Sequence, residues 1–268
     1  MSNLEIIKQL REATGAGMVD CKAALTEAGD DLNKAVEVLR KKGIAKAAKR
    51  SGREASEGII KLDVNEAANE GYILEINAET DFVARNEKFL KLADDILALI
   101  KEKKPKTQAE LESLPLAAGT VKETLDNLSG TVGEKMGIKR FSVLSSNGSV
   151  AAYSHLGGRI GVLAALDKPG KKELAYDIAM QIAAANPKYL TPDEVIPAEI
   201  EKEKEIYREQ LKKEGKPEDM IEKILVGKMN KYYEEVCLVK QEYIKDDKKK
   251  VENILGDARV EKFVRFSL

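Results

Sequence analysis

The chain has 268 residues, long enough for two or three units and a core of useful size. Charged residues make up 34% and hydrophobic residues 43%, with 5% aromatic and no Trp; this argues for a helix-rich protein and against an all-β domain. The 45 basic and 46 acidic groups leave a net charge of −1, so the global balance does not point to nucleic acid as a partner.

Residues 1 to about 43 read as three short helices. Leu4, Ile7 and Leu10 form a helical stripe that ends near Thr14-Gly15-Ala16-Gly17. Met18, Cys21, Ala24 and Leu25 begin a second stripe, closed around Gly29-Asp30. Asp30 or Asp31 can cap a third, with Leu32, Ala35, Val36 and Leu39, predicted to stop at Gly43. So small a bundle fits a docking module better than a catalytic one, and a plain N-terminal subdomain equally well. Lys41, Lys42, Lys46, Lys49, Arg50 and Arg53 follow with no acid between them. Without interleaved aromatics or a glycine-loop RNA motif, this run is expected to be a solvated linker.

The second unit opens with an alternating strand at Gly58–Val64, a turn at Asn69-Glu70-Gly71 and an apolar strand from Tyr72 to Asn77. Thr80-Asp81-Phe82-Val83-Ala84-Arg85-Asn86 then makes a strand-to-helix corner before the amphipathic stretch Glu87 to Ile100. Thr80 or Asp81 can cap that helix, and the Asp81 charge suits the positive end of the helix dipole. Phe82 falls in the first turn, where a side chain can point outward. One reading is a cap and a packing ring; the other is an acid and an aromatic ring held out to enter a partner. Helical pieces around Gln108–Leu114 and Val121–Met136 lead to a strand at Phe141–Leu144.

Residues 148 onward repeat the plan: a strand at Gly148–His155, a turn at Leu156-Gly157-Gly158, a strand at Arg159–Leu166 and a helix from Lys172. Strand, turn, strand, helix thus occurs twice, which predicts an α+β protein whose core is two related halves with antiparallel sheets. From Pro197 a densely charged pair of helices, turning at Gly215–Pro217, predicts a projecting antiparallel hairpin. A helix at Val251–Leu255 and a strand at Val260–Phe266 close the chain. The expected divisions are 1–53 for the N-terminal domain and basic linker, 54–147 for the first half and 148–268 for the second, with the hairpin at about 197–235.

Chemistry-bearing motifs are sparse. No Gly-x-x-x-x-Gly-Lys-Ser/Thr loop is present, and Gly157-Gly158-Arg159-Ile160-Gly161 lacks dinucleotide-site spacing, so no direct nucleotide binding is expected. His155 is the single histidine, which makes a zinc site or a nucleophilic triad improbable, although carboxylates alone could hold a hard cation. No catalytic residue, cofactor or metal site is therefore expected. Cys21 and Cys237 are far apart, which fits a reduced cytoplasmic setting better than a disulfide framework. Met1–Glu5 carries no signal-peptide features and no apolar run reaches the ~18–20 residues of a membrane span, so neither secretion nor a membrane partner is expected.

Three stretches carry a family resemblance. Leu10-Arg11-Glu12-Ala13-Thr14-Gly15-Ala16-Gly17-Met18-Val19-Asp20-Cys21-Lys22-Ala23-Ala24-Leu25 resembles the N-terminal signature of bacterial elongation factor Ts. Glu75-Ile76-Asn77-Ala78-Glu79-Thr80-Asp81-Phe82-Val83-Ala84 resembles its second signature, and His155–Val162 a third characteristic stretch. Val19 stands where a second methionine is common, and many relatives continue beyond Leu268 with a Gly-Glu-Gly segment and a final helix.

The resemblance implies a ubiquitin-associated-like three-helix N-terminal domain, and a guanine-nucleotide exchange factor for elongation factor Tu, GDP-bound and nucleotide-free. It implies that Thr80, Asp81, Phe82 and Val83 enter the partner near its Mg²⁺ site. It further implies that Arg11, Gly15 and Met18 dock on the partner's G domain, and that the region of His155 and Gly158 faces its third domain. The competing readings are an interaction module without exchange activity and an RNA-associated factor using Lys41–Arg53.

Overall fold

The computed structural model describes residues 3–14, 16–50 and 52–268. Helices α1 (Asn3–Thr14), α2 (Met18–Ala28) and α3 (Leu32–Lys49) close around Ile7, Leu10, Cys21, Ala24, Leu25 and Ala35. Asp31 is the cap of α3: its Oδ1 accepts from the backbone N–H groups of Asn33 (2.9 Å) and Lys34 (3.1 Å).

Strand β1 (Glu57–Val64) pairs antiparallel with β2 (Glu70–Ala78), which feeds the short α4 (Asp81–Ala84) and then α5 (Glu87–Lys103). After α6 (Gln108–Ser113), a small β3 (Pro115–Leu116)–β4 (Gly119–Thr120) pair leads into α7 (Val121–Val132). A capping box opens α7: Glu123 N–H donates to Thr120 Oγ1 (3.2 Å), and Thr120 N–H donates to Glu123 Oε2 (2.9 Å). Strand β5 (Met136–Ser145) then pairs antiparallel with the other edge of β2.

The second half repeats this order. Strands β6 (Ser149–His155) and β7 (Ile160–Leu166) form a hairpin followed by α8 (Lys172–Ala185). Helices α9 (Pro197–Lys213) and α10 (Glu218–Val236) make the helical hairpin, packed through Val195, Leu225, Met229, Tyr232 and Val236. The small pair β8 (Glu242–Tyr243) and β9 (Asp246–Lys250), α11 (Val251–Leu255) and β10 (Val260–Ser267) complete it, with β10 on the free edge of β7. Each half is thus a three-stranded antiparallel sheet, β1-β2-β5 and β10-β7-β6, whose last strand returns beside the middle one.

Strand periodicity sets the layers. Tyr72, Leu74, Ile76 and Ala78 of β2 face Phe89, Leu92, Ala93 and Ile96 of α5, whereas Ile73 faces the other way. Val162, Ala164 and Leu166 of β7 likewise face Ala175, Ile178, Ala179 and Ile182 of α8, while Leu163 and Ala165 join Ile60, Ile73, Leu144, Val150 and Phe266 between the sheets. The core is therefore helix, sheet, sheet, helix, and its two middle strands read as nearly continuous apolar runs because both faces are buried.

Three expectations need correction. α3 runs through Gly43 to Lys49, because Gly43 serves helix contact there and does not terminate the helix. A β-carbon built on Gly130 of α7 would lie 2.5 Å from Gly43 Cα, so the two backbones touch where these glycines meet. The first part of the run Lys41–Arg53 is accordingly helix and not linker. Arg50 Nη1 donates to Ser129 O (3.4 Å) and Arg53 Nη1 to Glu79 Oε1 (3.3 Å); the side chains of Lys46 and Lys49 lie outside the described residues. Finally, α7 ends before Met136: Gly133, at φ 90°, takes the left-handed position and its N–H donates to Ser129 O, freeing Met136 to begin β5.

Candidate functional site

The site is built on the end of β2, the most deeply buried strand of the first sheet. Beyond Ala78 the chain leaves the sheet, and Thr80, in extended conformation, caps the four-residue α4 through a 3.4 Å bond from Val83 N–H to Thr80 Oγ1. Ala84 N–H returns to Thr80 O (3.1 Å), Arg85 N–H to Asp81 O (3.1 Å) and Asn86 N–H to Val83 O (3.0 Å), which closes the turn. Asn86 then caps α5 by accepting from Lys88 N–H (2.9 Å).

This geometry sorts the four predicted residues. Val83 and Ala84 turn inward and join the core with Tyr72, Ile76 and Phe89. Phe82 turns outward and is 84% exposed, the most exposed of the large apolar side chains among the described residues. Asp81 stays at the surface, 3.1 Å from Arg85 Nη2. Such an exposed pair is worth about 0–1 kcal/mol, so its carboxylate can change partners at little cost. The corner presents one ring and one carboxylate, with Val83 as its anchor.

A second loop fastens the corner from the side. Glu134, just after Gly133 at the end of α7, accepts from Thr80 N–H through Oε2 (3.0 Å) and from the Thr80 hydroxyl through Oε1 (2.7 Å). The reverse bond also exists: Lys135 N–H donates to Glu79 Oε1 (2.6 Å). That bond, with Arg53 beside it, holds the Glu79 carboxyl below the usual range. Lys135 Nζ in turn donates to Arg53 O (2.7 Å), and Ser129 Oγ donates to Glu134 O (2.6 Å). Sequence reasoning did not single out Glu134, Lys135 or Arg53 for the site; a Gly-Glu-Lys turn far along the chain carries no local signal of what its carboxylate meets.

The match to known proteins covers this corner. A sequence model of the family described as Elongation factor TS fits residues 79–268. A protein named Elongation factor Ts from Clostridium botulinum is 46% identical over 280 residues, spanning 99% of this chain and 92% of its own length. Proteins of the same name from Clostridium perfringens and Clostridium kluyveri are 46% and 44% identical over the same shares. The chain belongs to the elongation factor Ts family.

It is accordingly a translation elongation factor, acting in protein biosynthesis. The other predicted residues sit on separate elements of the chain. Arg11 is exposed on α1; Met18, 52% exposed, opens α2 beside Val19, 83% exposed; and Gly15 lies outside the described residues. His155 is exposed at the end of β6, with Nδ1 3.0 Å from the Tyr153 hydroxyl and its ring stacked on the Tyr153 ring. Tyr176 of α8 meets Tyr153 edge-on at 5.6 Å, and Leu156 is 65% exposed, so this end of the second half carries an aromatic and apolar surface. Gly158 is buried, and its structural place is the junction of the halves. Ile60 N–H donates to Gly158 O (2.8 Å), and at φ 91° a β-carbon there would lie 2.9 Å from Ile59 Cγ1. Among the described residues, no helix is long and apolar enough to cross a membrane.

Proposed function

We propose that this chain is a guanine-nucleotide exchange factor for elongation factor Tu and catalyses no chemical reaction of its own. Family membership supports the exchange role in general terms, and the observation that carries the mechanism is the corner. Phe82 is 84% exposed, yet it stands on a turn whose next residue, Val83, is locked into the core. A large ring held in water by a rigid turn suits insertion into a partner's apolar gap.

In this reading Phe82 separates elements of Tu beside its Mg²⁺ site and Asp81 binds polar groups of the disturbed region. Loss of the ion removes charge that neutralises the phosphates, and displaced backbone donors weaken the phosphate cradle. GDP leaves, and GTP can bind. The factor supplies no nucleotide contact of its own; its whole contribution is binding energy directed at the nucleotide-free form. The three N-terminal helices dock on the G domain through Arg11, Gly15 and Met18, and the surface around His155 faces the third domain of Tu.

The magnitudes are adequate. Burying a Phe side chain contributes about 1.5–3 kcal/mol, and a hydrogen bond to a charged group about 1.5–3 kcal/mol. Together they reach the ~3–5 kcal/mol of coupling that corresponds to roughly 10²–10⁴ in affinity. Linkage makes this reciprocal: GDP must weaken the factor's hold on Tu by the same ratio by which the factor weakens GDP. Titrating the chain into nucleotide-free and GDP-loaded Tu measures one ratio, and GDP binding to Tu with and without the chain measures the other. Two equal ratios of roughly 10² or more support the reading; equal affinity of the chain for both forms of Tu rules it out.

A further inference from the structure

We infer that Glu134 is the positioning residue of the exchange corner: it holds Thr80 so that Phe82 stands in its inserting direction before any partner is met. The inference rests on the exchange reading above and names the group that makes the corner rigid. The helix that carries Phe82 has four residues, too few to hold itself. Its inner side is anchored by Val83 and Ala84, but its first residue lies outside the sheet, because β2 ends at Ala78.

Glu134 supplies the missing constraint. One carboxylate takes both polar hydrogens of Thr80, at 3.0 Å from the backbone nitrogen and 2.7 Å from the hydroxyl. The hydroxyl, its proton committed to Glu134, turns a lone pair to Val83 N–H at 3.4 Å and so caps the turn. Hydrogen bonds to an ionised acceptor are the stronger kind, and two from one residue fix a direction as well as a distance.

The loop bearing Glu134 is itself tied down. Ser129 Oγ donates to Glu134 O, Lys135 N–H donates to Glu79 Oε1, and Lys135 Nζ reaches Arg53 O. Two adjacent residues of one loop therefore clamp two adjacent residues of the corner, Glu134 on Thr80 and Lys135 on Glu79. Glu134 acts through Thr80 and Phe82 and touches no partner in this scheme.

A positioning role separates from a docking role in the kinetics. Release of a fluorescent GDP analogue from elongation factor Tu is followed at increasing concentrations of the full chain, giving a maximal rate and a half-saturating concentration. Glu134→Ala should lower the maximal rate roughly tenfold, the size expected for losing charge-assisted hydrogen bonds that orient the inserting group. Its half-saturating concentration should be nearly unchanged. Glu134→Gln, which keeps an acceptor for Thr80 N–H and offers a donor to its hydroxyl oxygen, should restore most of the rate. Thr80→Val should resemble Glu134→Ala and Thr80→Ser the wild type, which tests the clamp from its other side should Glu134→Ala prove unstable. In a Phe82→Ala background Glu134→Ala should cost nothing further. Acceleration by the wild type that survives undiminished in folded Glu134→Ala and Thr80→Val overturns the positioning role while leaving the exchange reading intact. So does a loss that is confined to the half-saturating concentration. A wild-type chain that fails to accelerate release overturns both.

Discussion

Gly43 of α3 and Gly130 of α7 meet backbone to backbone, and the contact is asymmetric. A β-carbon on Gly130 would lie 2.5 Å from Gly43 Cα and 2.9 Å from Gly43 O, whereas one on Gly43 would meet Asn127 Oδ1 at an ordinary 3.6 Å. This crossing joins the N-terminal helices to the first half, supported by Arg40 Nη2 on Glu123 Oε2 (2.5 Å) and Arg50 on Ser129 O.

The asymmetry predicts opposite outcomes for one chemical change. Gly43→Ala should be tolerated and gain up to ~1 kcal/mol, since alanine favours a helix interior. Gly130→Ala has the same intrinsic gain but forces two backbones apart, and should destabilise the docking of α3 by about 1–3 kcal/mol net. Denaturant unfolding together with proteolytic cleavage within 40–53 checks both. Equal behaviour of the two variants would contradict the packing argument.

Arg140 joins the two sheets. Its Nε donates to Glu75 Oε2 (2.6 Å), its Nη2 donates to Ser267 O (3.1 Å), and its guanidinium lies 4.2 Å from the centre of the Phe266 ring. Glu75 is fully buried, with Lys139 Nζ as its other cation at 2.9 Å. Arg140→Met should therefore cost about 2–4 kcal/mol in urea unfolding, because it leaves a buried carboxylate short of a partner. Adding Glu75→Gln to Arg140→Met should recover part of that loss. A double variant less stable than Arg140→Met would show that the cost comes from lost packing on Phe266 and not from the stranded charge.

Much of this architecture is visible in the chain because it depends on local periodicity. The runs Gly58–Val64 and Tyr72–Asn77, the stripe from Phe89 to Ile100 and the repeat from residue 148 each announce an element, and the corner at Thr80 follows from the cap chemistry. What stays hidden depends on contacts between distant segments. Gly43 looks like a helix stop, since a glycine needed for close approach and a glycine needed for a left-handed cap are the same letter. Glu134 looks like any solvated acid after a turn, although it lies within 3 Å of Thr80, across 54 positions of chain. Gly158 belongs to a motif that reads as a hairpin turn, which gives no sign that its carbonyl binds Ile60 in the other half. Val83 is written into the same motif as Phe82 and faces the opposite way, which follows only once the turn of α4 is known.

The Glu79 clamp predicts a pH response. Its carboxyl is held below the usual range, chiefly by the Lys135 backbone N–H and also by Arg53. A depressed folded-state value means that the stabilisation is fully present above the unfolded value, about 4.3, and is lost as pH falls through the lower folded value. The NMR signal of the Glu79 carboxyl carbon, followed from about pH 7 to about pH 3, should hold steady through the ordinary carboxylate range and shift only beneath it. A midpoint at or above ~4.5 would show that the clamp does not hold the ionised form.

Release of a fluorescent GDP analogue from elongation factor Tu by Phe82→Ala decides whether the exposed ring of Phe82 drives exchange. The ring is 84% exposed, so its removal should leave the melting temperature of the factor unchanged. The wild type should accelerate release strongly, and the variant should lose most of that acceleration, on the order of 10-fold or more for a lost aromatic hot spot. A stably folded Phe82→Ala chain that releases GDP as fast as the wild type would show that the ring does not drive exchange.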